Sequence, residues 1–185
     1  MQFPQPTLGL SAISGRNIAL TIGAAALITL SAKVQVPFWP VPMTLHTLAV
    51  LLISVMLGPR LGFAAMSAYL AAGLAGLPVF SGSPERGIGL VYMVGPTGGY
   101  LLGYLIASWL TGWLAQGRGL VPSAAAMLAG LAVVYAAGMA WLLNFVPAGK
   151  VVAAGFAPFI LGDLVKIVLA LTIVAAWRGM RRDSA

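Results

Sequence analysis

Charged residues are scarce in this chain of 185 residues, at 7% of the sequence, and cysteine is absent. An ordinary soluble domain carries about 25% charged residues, so this chain has too few to cover a water-exposed globule. The composition argues against a soluble enzyme. It also argues against a disordered chain, which would need high charge and few apolar residues. Without cysteine, a disulfide framework, a thiolate metal site and a cysteine nucleophile are all absent.

Other groups that bind cofactors are also missing. His46 is the only histidine, so a histidine-based metal site is not expected. The closest approach to a nucleotide-binding loop is Ala148-Gly149-Lys150. That pattern would need glycine in place of Asn144 and serine or threonine in place of Val151. The sequence therefore predicts no cofactor, no metal and no ATP site of the chain's own.

Hydrophobic residues, at 61% of the sequence, form long runs that proline, glycine or charged residues interrupt. A membrane-spanning helix needs about 20 apolar residues. The runs predict an all-α integral membrane protein, a single domain over residues 1–185 with six transmembrane helices. The predicted spans are 17–34, 43–57, 61–77, 97–116, 123–143 and 157–177. Between the second and third spans lies only Gly58-Pro59-Arg60, which predicts a tight turn and a helical hairpin.

The basic residues behind the net charge of +7 are scattered singly except at the C-terminus, which favours a lipid bilayer over nucleic acid as the partner. With six spans, the side that holds both termini carries Arg16, Arg60, Arg118, Arg178, Arg181 and Arg182. The other side carries Lys33, Arg86 and Lys150. Cytoplasmic loops are enriched in Lys and Arg, so both termini are predicted to be cytoplasmic.

The three loops on the outer side are long and unusual. Residues 33–42, 78–96 and 144–156 are apolar and aromatic, yet proline and glycine break them repeatedly. Simple helices are therefore not expected there. Non-helical backbone near membrane depth is stable only when it is buried or lines a cavity. We expect these loops to close a ligand pocket at the outer face; interfacial anchoring by Trp and Tyr is the alternative.

Asp163 and Lys166 are the sharpest functional signal. Their spacing of three places both on one face of the last span, where each charge costs about 2.5–3.5 kcal/mol to insert. Phe156 and Phe159 precede them on roughly the same face. The pair is predicted to anchor a ligand beside aromatic rings. The alternative is that the two charges neutralise each other and only stabilise the bundle.

The segment Gly95-Pro96-Thr97-Gly98-Gly99-Tyr100 opens the fourth span. Glycine recurs there at every fourth residue, at Gly95, Gly99 and Gly103, which is typical of close helix contact. Free N–H groups and the helix dipole at this start favour an anion. Thr97, Gly98 and Tyr100 are therefore predicted to bind a ligand, with its carboxylate at the helix start.

Further candidates for the pocket come from the outer loops. Phe38 and Trp39 are expected to cover the apolar part of the ligand, and Thr44 to line the pocket. Asn144 follows the fifth span and could donate or accept a hydrogen bond. His46 is interpreted mainly as a hydrogen-bonded packing residue, because an isolated histidine more often packs than catalyses.

A face of small residues marks the first span. Ala19 and Gly23 are four residues apart, which allows another helix to approach closely. This face could serve a contact inside the bundle or a partner subunit.

Several motifs together resemble the BioY family, the biotin-specific substrate-binding (S) component of energy-coupling factor (ECF) transporters. They lie in the same order over about 140 residues: Pro37–Thr44 with Thr47–Val50, Leu57–Gly62, Gly76–Phe80, Gly95–Tyr100, and Pro158-Phe159 with Asp163 and Lys166. The resemblance implies a six-helix fold that binds biotin from outside. It also implies a transmembrane coupling (T) subunit and ABC-type ATPases as partners, with the first helix meeting the coupling subunit. The insertion Pro84-Glu85-Arg86 departs from the family pattern, so no role is assigned to Arg86.

Two other functions fit the residues. One is an S component for a different vitamin, and the other is an intramembrane enzyme that uses Asp163 or His46. Acid–base catalysis needs a second titratable group close to the substrate, and only Lys166 is an obvious partner. Binding and transport, rather than enzymatic activity, are therefore predicted.

Overall fold

The computed structural model describes residues 14–36 and 43–183, and they are largely helical. In chain order the elements are α1 Gly15–Lys33, β1 Gln35–Val36, β2 Met43–Thr44, α2 His46–Leu74, α3 Gly89–Met93, α4 Gly98–Ala115, α5 Leu120–Leu142, α6 Ala148–Gly155 and α7 Ala157–Asp183. The two short strands pair antiparallel, with Gln35 opposite Thr44. The predicted all-α class is confirmed.

Helix α2 is folded back on itself at Gly58. Its φ of 81° is a left-handed value that suits glycine, and Pro59 then starts the second arm with a φ already fixed for a helix. The ring centroids of His46 and Tyr69 lie only 5.2 Å apart. In a straight helix these residues would be about 34 Å apart. The arms, residues 46–57 and 59–74, therefore run side by side as the predicted helical hairpin.

Each predicted span overlaps a helical segment, and the start of the second span needs a correction. The second span was expected to begin at Met43, but Met43 and Thr44 form strand β2 and the helix begins at His46. Thr44 thus lies on a hairpin at the mouth of the bundle. The β-branched Thr44 suits such an extended segment.

The outer loops are not free of helix, contrary to the prediction. Helix α3 lies within residues 78–96 and helix α6 within residues 144–156. Proline and glycine occupy helix ends here instead of helix interiors. Pro147 is the N-cap of α6 and Gly155 is its last residue, so neither interrupts its hydrogen bonds.

Two hydrophobic clusters flank the α2 hairpin. The first joins α1, α2 and α4 with Phe80 and Tyr92 of the second outer loop; the second joins α2, α5 and α7. Helix α4 packs closely on α5, because Gly99 and Gly103 leave no room for a side chain between the two helices. The contact predicted for this glycine stripe is confirmed at those two positions. A side chain at Gly95 would meet only the backbone of residues 91 and 92.

The outward face of the bundle is apolar. On α7, Asp163 and Lys166 are buried, whereas Leu161, Val165 and Val168 are each 61% exposed. In the described part of the chain, four helical segments are long and apolar enough to cross a membrane: Gly15–Lys33, His46–Leu74, Leu120–Leu142 and Ala148–Met180. This pattern is that of a multi-pass membrane protein, with polar groups inside and hydrocarbon-like groups facing lipid.

Candidate functional site

An ion pair with a third hydrogen-bonding partner lies inside the bundle. Lys166 Nζ donates to Asp163 Oδ1 at 2.8 Å, and Tyr135 Oη donates to Asp163 Oδ2 at 2.7 Å. Asp163 is 5% exposed and Lys166 is 7% exposed. The predicted pairing of Asp163 with Lys166 on one face of α7 is therefore present, and both carboxylate oxygens are occupied.

Tyr135 was not predicted as a site residue. It lies on α5, and its ring contacts Phe156 edge-on at a centroid distance of 4.8 Å. A tyrosine inside an apolar helix usually finds a hydrogen-bond partner when it is buried, which was the available signal. Its partner could not be identified from sequence spacing, because 28 residues separate Tyr135 from Asp163.

A layer of aromatic and polar side chains lies next to the ion pair. The His46 ring stacks on Tyr104 at 4.6 Å, and the hydroxyls of Tyr104 and Thr47 are 2.6 Å apart. His46 is buried and packed as predicted, but its Nε2 and the Tyr69 hydroxyl have no hydrogen-bond partner among the described residues. The expectation of a hydrogen-bonded imidazole is thus not met at Nε2.

The base of the β1–β2 hairpin packs on α7 one residue before the ion pair. The Met43 side chain occupies the space above Gly162, the residue before Asp163, so closely that a Cβ at Gly162 would overlap it. The Leu45 N–H donates to the Ser31 carbonyl at 3.1 Å, which fixes the hairpin to the end of α1. Phe38 and Trp39, the predicted ligand covers, fall between the two strands in the sequence and lie outside the described residues.

The second outer loop is anchored at the same end of the bundle. Lys33 Nζ donates to the Ser83 carbonyl at 2.7 Å, and Tyr92 Oη donates to the Ser81 carbonyl at 2.8 Å. Burial raises the pKa of Tyr92 above its usual value. Phe80 is fully buried against Tyr92. The predicted folding of this loop over the bundle mouth agrees with these contacts.

Two backbone amides at the start of α4, which were predicted to be free for a ligand, already donate hydrogen bonds within the chain. The Gly98 N–H donates to the Gly95 carbonyl at 3.0 Å, and the Tyr100 N–H donates to the Thr97 carbonyl at 3.1 Å. These two amides are therefore not free for an anion. Thr97 is exposed, and Tyr100 Oη donates to the Gly155 carbonyl at 2.7 Å, which ties α4 to α6.

The remaining predicted residues lie apart from one another. Asn144 is exposed, and its Nδ2 donates to the Trp141 carbonyl at 2.9 Å at the end of α5. Phe159 is half-buried and packs on the cluster that contains Tyr135. The structure thus brings Phe159 close to the ion pair and leaves Asn144 at the surface.

An apolar cavity of about 350 Å³ opens between α5 and α7. The residues that line it are Leu128, Leu131, Ala132, Tyr135, Ala136, Met139, Phe156, Ile160 and Leu164. Tyr135 connects it to the ion pair through its hydroxyl. Within residues 14–36 and 43–183, no group of three or more His, Cys, Asp or Glu side chains is placed to hold a metal ion.

The small-residue face of α1 points away from the bundle. Ala19 and Gly23 are exposed, and a Cβ at Gly23 would meet nothing within 4 Å among the described residues. The interpretation of this face as an internal contact is therefore wrong for these two residues. Ala24 and Ile28 face α2 instead.

Comparison with known proteins places this geometry in a family. A model described as the BioY family matches residues 6–183. The chain is 35% identical over 167 residues to "Probable biotin transporter BioY" of Pyrococcus horikoshii. The aligned region covers 90% of this chain and 99% of the relative. It is 38% identical over 151 residues to "Biotin transporter BioY" of Thermotoga maritima, which covers 80% and 87%.

A solved structure shares the fold. The crystal structure of "the S-component for biotin from an ECF-type ABC transporter" superposes with a TM-score of 0.76 at 26% sequence identity, over 89% of this chain and 91% of that chain. These matches are to membrane transporters and not to enzymes. The chain belongs to the BioY family.

Proposed function

We propose that this chain is the biotin-binding S component of an ECF-type transporter. The observation that carries the proposal is the buried Asp163–Lys166 pair below the outer hairpin, in a chain whose relatives are named biotin transporters. Intramembrane ionisable residues are rare and usually functional. The proposal assigns no cofactor, since biotin is the transported ligand.

The ion pair matches the polar end of biotin. The ureido ring has two N–H donors and one carbonyl acceptor, while Asp163 offers acceptors and Lys166 a donor on one helix face. Thr44, Thr97, Gly98, Tyr100 and Phe159 remain proposed contributors to the binding site, and so does Asn144. Because the carboxylate already accepts from Tyr135, a bound ureido group would share or replace that hydrogen bond.

The test is biotin affinity in detergent. We expect Asp163→Asn and Lys166→Ala each to weaken binding about ten- to a hundredfold, the value of one charge-assisted hydrogen bond. Lys150→Ala, at an exposed site on α6, is the matched control and should bind as the parent does. Unchanged affinity in both variants, with intact folding, would refute the site. Mass spectrometry of any co-purified small molecule separates biotin from another vitamin.

We further propose that residues 1–185 form one domain with six spans and both termini cytoplasmic, in the bacterial inner membrane. The absence of cysteine makes the test direct, because single cysteines can be introduced where space is open. A side chain at Gly15 or at Gly149 would meet nothing within 4 Å. A membrane-impermeant maleimide should label Gly149→Cys in intact cells and Gly15→Cys only after permeabilisation. The reverse pattern would invert the topology.

The hairpin tip is proposed to close over the ligand, with Phe38 and Trp39 on its apolar part. The support is the packing of Met43, at the hairpin base, on Gly162, the residue before Asp163. Trp39→Ala should weaken biotin binding while Trp39→Phe largely retains it. Trp109→Ala, on the exposed face of α4, is the control for loss of a tryptophan. Equal affinity of Trp39→Ala and the parent would contradict the lid.

Energy for uptake is proposed to come from partners. A ligand held at nanomolar affinity is stabilised by about 12 kcal/mol, so inward release needs external work. We propose that a coupling (T) subunit docks on the exposed α1 face at Ala19 and Gly23, and that ABC-type ATPases drive the cycle. Proteoliposomes that contain only this chain should not accumulate biotin. Accumulation well above the external level without an ATPase would refute this dependence.

A further inference from the structure

A second cavity, of about 420 Å³, lies at the end of the bundle opposite the β-hairpin. It is bounded by the Gly58 turn of α2, by the segment that follows α4 and by the last turns of α7. The residues that line it are Val55, Met56, Leu57, Gly58, Ala115, Gln116, Gly117, Arg118, Trp177 and Arg178. It is unrelated to the Asp163 site, which lies towards the start of α7.

Two arginines give this cavity its charge. Arg178 Nη2 donates to Ser123 Oγ at 3.1 Å, and Ser123 Oγ in turn donates to the Gly119 carbonyl at 2.8 Å. This chain of hydrogen bonds holds the half-buried Arg178 guanidinium beside the start of α5. Arg118 lines the cavity from the connection before that helix. Arg178 keeps further donors, because a guanidinium carries five N–H groups.

Carboxylates do not neutralise this charge among the described side chains. The acidic side chains described are Glu85, in the outer loop, and Asp163, which is paired with Lys166. Gln116 adds a neutral polar group to the lining. The composition of the cavity therefore suits an anion with several acceptor oxygens, and arginine binds phosphate oxygens in a two-pronged geometry.

The surroundings indicate the source of that anion. Trp109 and Trp113 stack at 5.9 Å on the outward face of α4 and are 48% and 53% exposed. They precede the end of α4 that borders the cavity. Exposed tryptophans are enriched at the membrane–water interface, and basic pockets between helices on the cytoplasmic side bind anionic headgroups. We propose that Arg118 and Arg178 bind the phosphate of an anionic phospholipid in the inner leaflet.

The test is native mass spectrometry of the detergent-solubilised protein with phosphatidylglycerol or phosphatidylcholine. We expect retention of one phosphatidylglycerol, and an affinity loss of about tenfold for Arg118→Gln and for Arg178→Gln, as one charged hydrogen-bonding partner is removed. Arg60→Gln is the control, since Arg60 is an exposed arginine near the Gly58 turn that does not line the cavity. Arg178→Lys retains the charge, so its affinity for phosphatidylglycerol should fall less than that of Arg178→Gln.

Three results would overturn the assignment: equal retention of both lipids by the parent chain, an equal loss in Arg60→Gln, or unchanged retention in both glutamine variants. Soluble glycerol phosphate distinguishes the sources. If it binds as tightly as the lipid, the site is one for a free phosphate group and not for a membrane lipid. Biotin affinity should be the same in all variants, so a failure here does not bear on the proposed function.

Discussion

Replacing Lys166 with methionine removes the ammonium group that pairs with Asp163 and keeps most of the side-chain volume. The remaining carboxylate would be 5% exposed, with Tyr135 as its one remaining hydrogen-bond donor among the described residues. Removing one partner of a buried ion pair costs about 3–5 kcal/mol, because the other charge is left uncompensated. We expect Lys166→Met to lower the free energy of unfolding by that amount, and Asp163→Asn to have a similar effect.

The double variant decides whether the two charges act as a unit. Asp163→Asn together with Lys166→Met leaves a neutral amide that can still accept from Tyr135, and no unpaired charge. We expect the double variant to lose less free energy of unfolding than the two single variants combined, by about 3 kcal/mol or more. Substitutions at independent sites would instead add within about 0.5 kcal/mol. Additive losses would refute the reasoning that the buried pair is held by mutual compensation.

The assay is a denaturant titration in detergent micelles, followed by circular dichroism, with biotin binding measured on the same samples. Lys150→Met is the control, since an exposed lysine should change the free energy by less than about 0.5 kcal/mol. If the pair only stabilises the bundle, the double variant should bind biotin like the parent. If it also anchors the ligand, the double variant should fold and still bind weakly.

Four further substitutions test the packing and the exposed faces. Gly99→Ala should destabilise the chain by about 1–3 kcal/mol in the same titration, because its Cβ would overlap α5; a loss below 0.5 kcal/mol would contradict the close contact. Gly23→Leu should leave biotin binding intact but abolish ATP-driven uptake in the reconstituted transporter, and normal uptake would exclude this face as the docking site. Tyr69→Phe should be neutral or stabilising, since it removes a buried hydroxyl that lacks a partner. Tyr104→Phe should cost about 1 kcal/mol through loss of the Thr47 hydrogen bond, and the opposite order would contradict the assignment.

Periodicity and chain breaks predict the helices well, since apolar length and proline or glycine interruptions act locally. The turn at Gly58-Pro59 was predicted because the break between the two apolar runs is too short for anything longer than a tight turn. Helices α3 and α6 were missed. Both helices are short. The many glycines and prolines around them indicate loops unless their positions at the helix ends are taken into account.

The site was predictable only where its members are close in sequence. Asp163 and Lys166 share one helix face at a spacing of three, so their pairing could be inferred. Tyr135 and Thr47 lie on other helices, α5 and α2. Local sequence patterns do not indicate which helices pack against each other, so these two residues could not be assigned to the site. Sequence alone also could not show that nearby carbonyls accept the amides of Gly98 and Tyr100 at the start of α4, where an anion site was predicted.

The contact between Met43 and Gly162 links the mouth of the bundle to its interior. The strand that carries Met43 cannot press further inward, because the α7 backbone is directly below it. It can lift only if Met43 leaves that position. Lifting of the hairpin and a change in packing one residue before Asp163 are thus parts of one movement, and in the proposed binding mode we expect biotin affinity to depend on hairpin position. Gly162 allows the Met43 side chain to pack directly on the α7 backbone. Any larger residue at this position would overlap Met43 and push the hairpin outward.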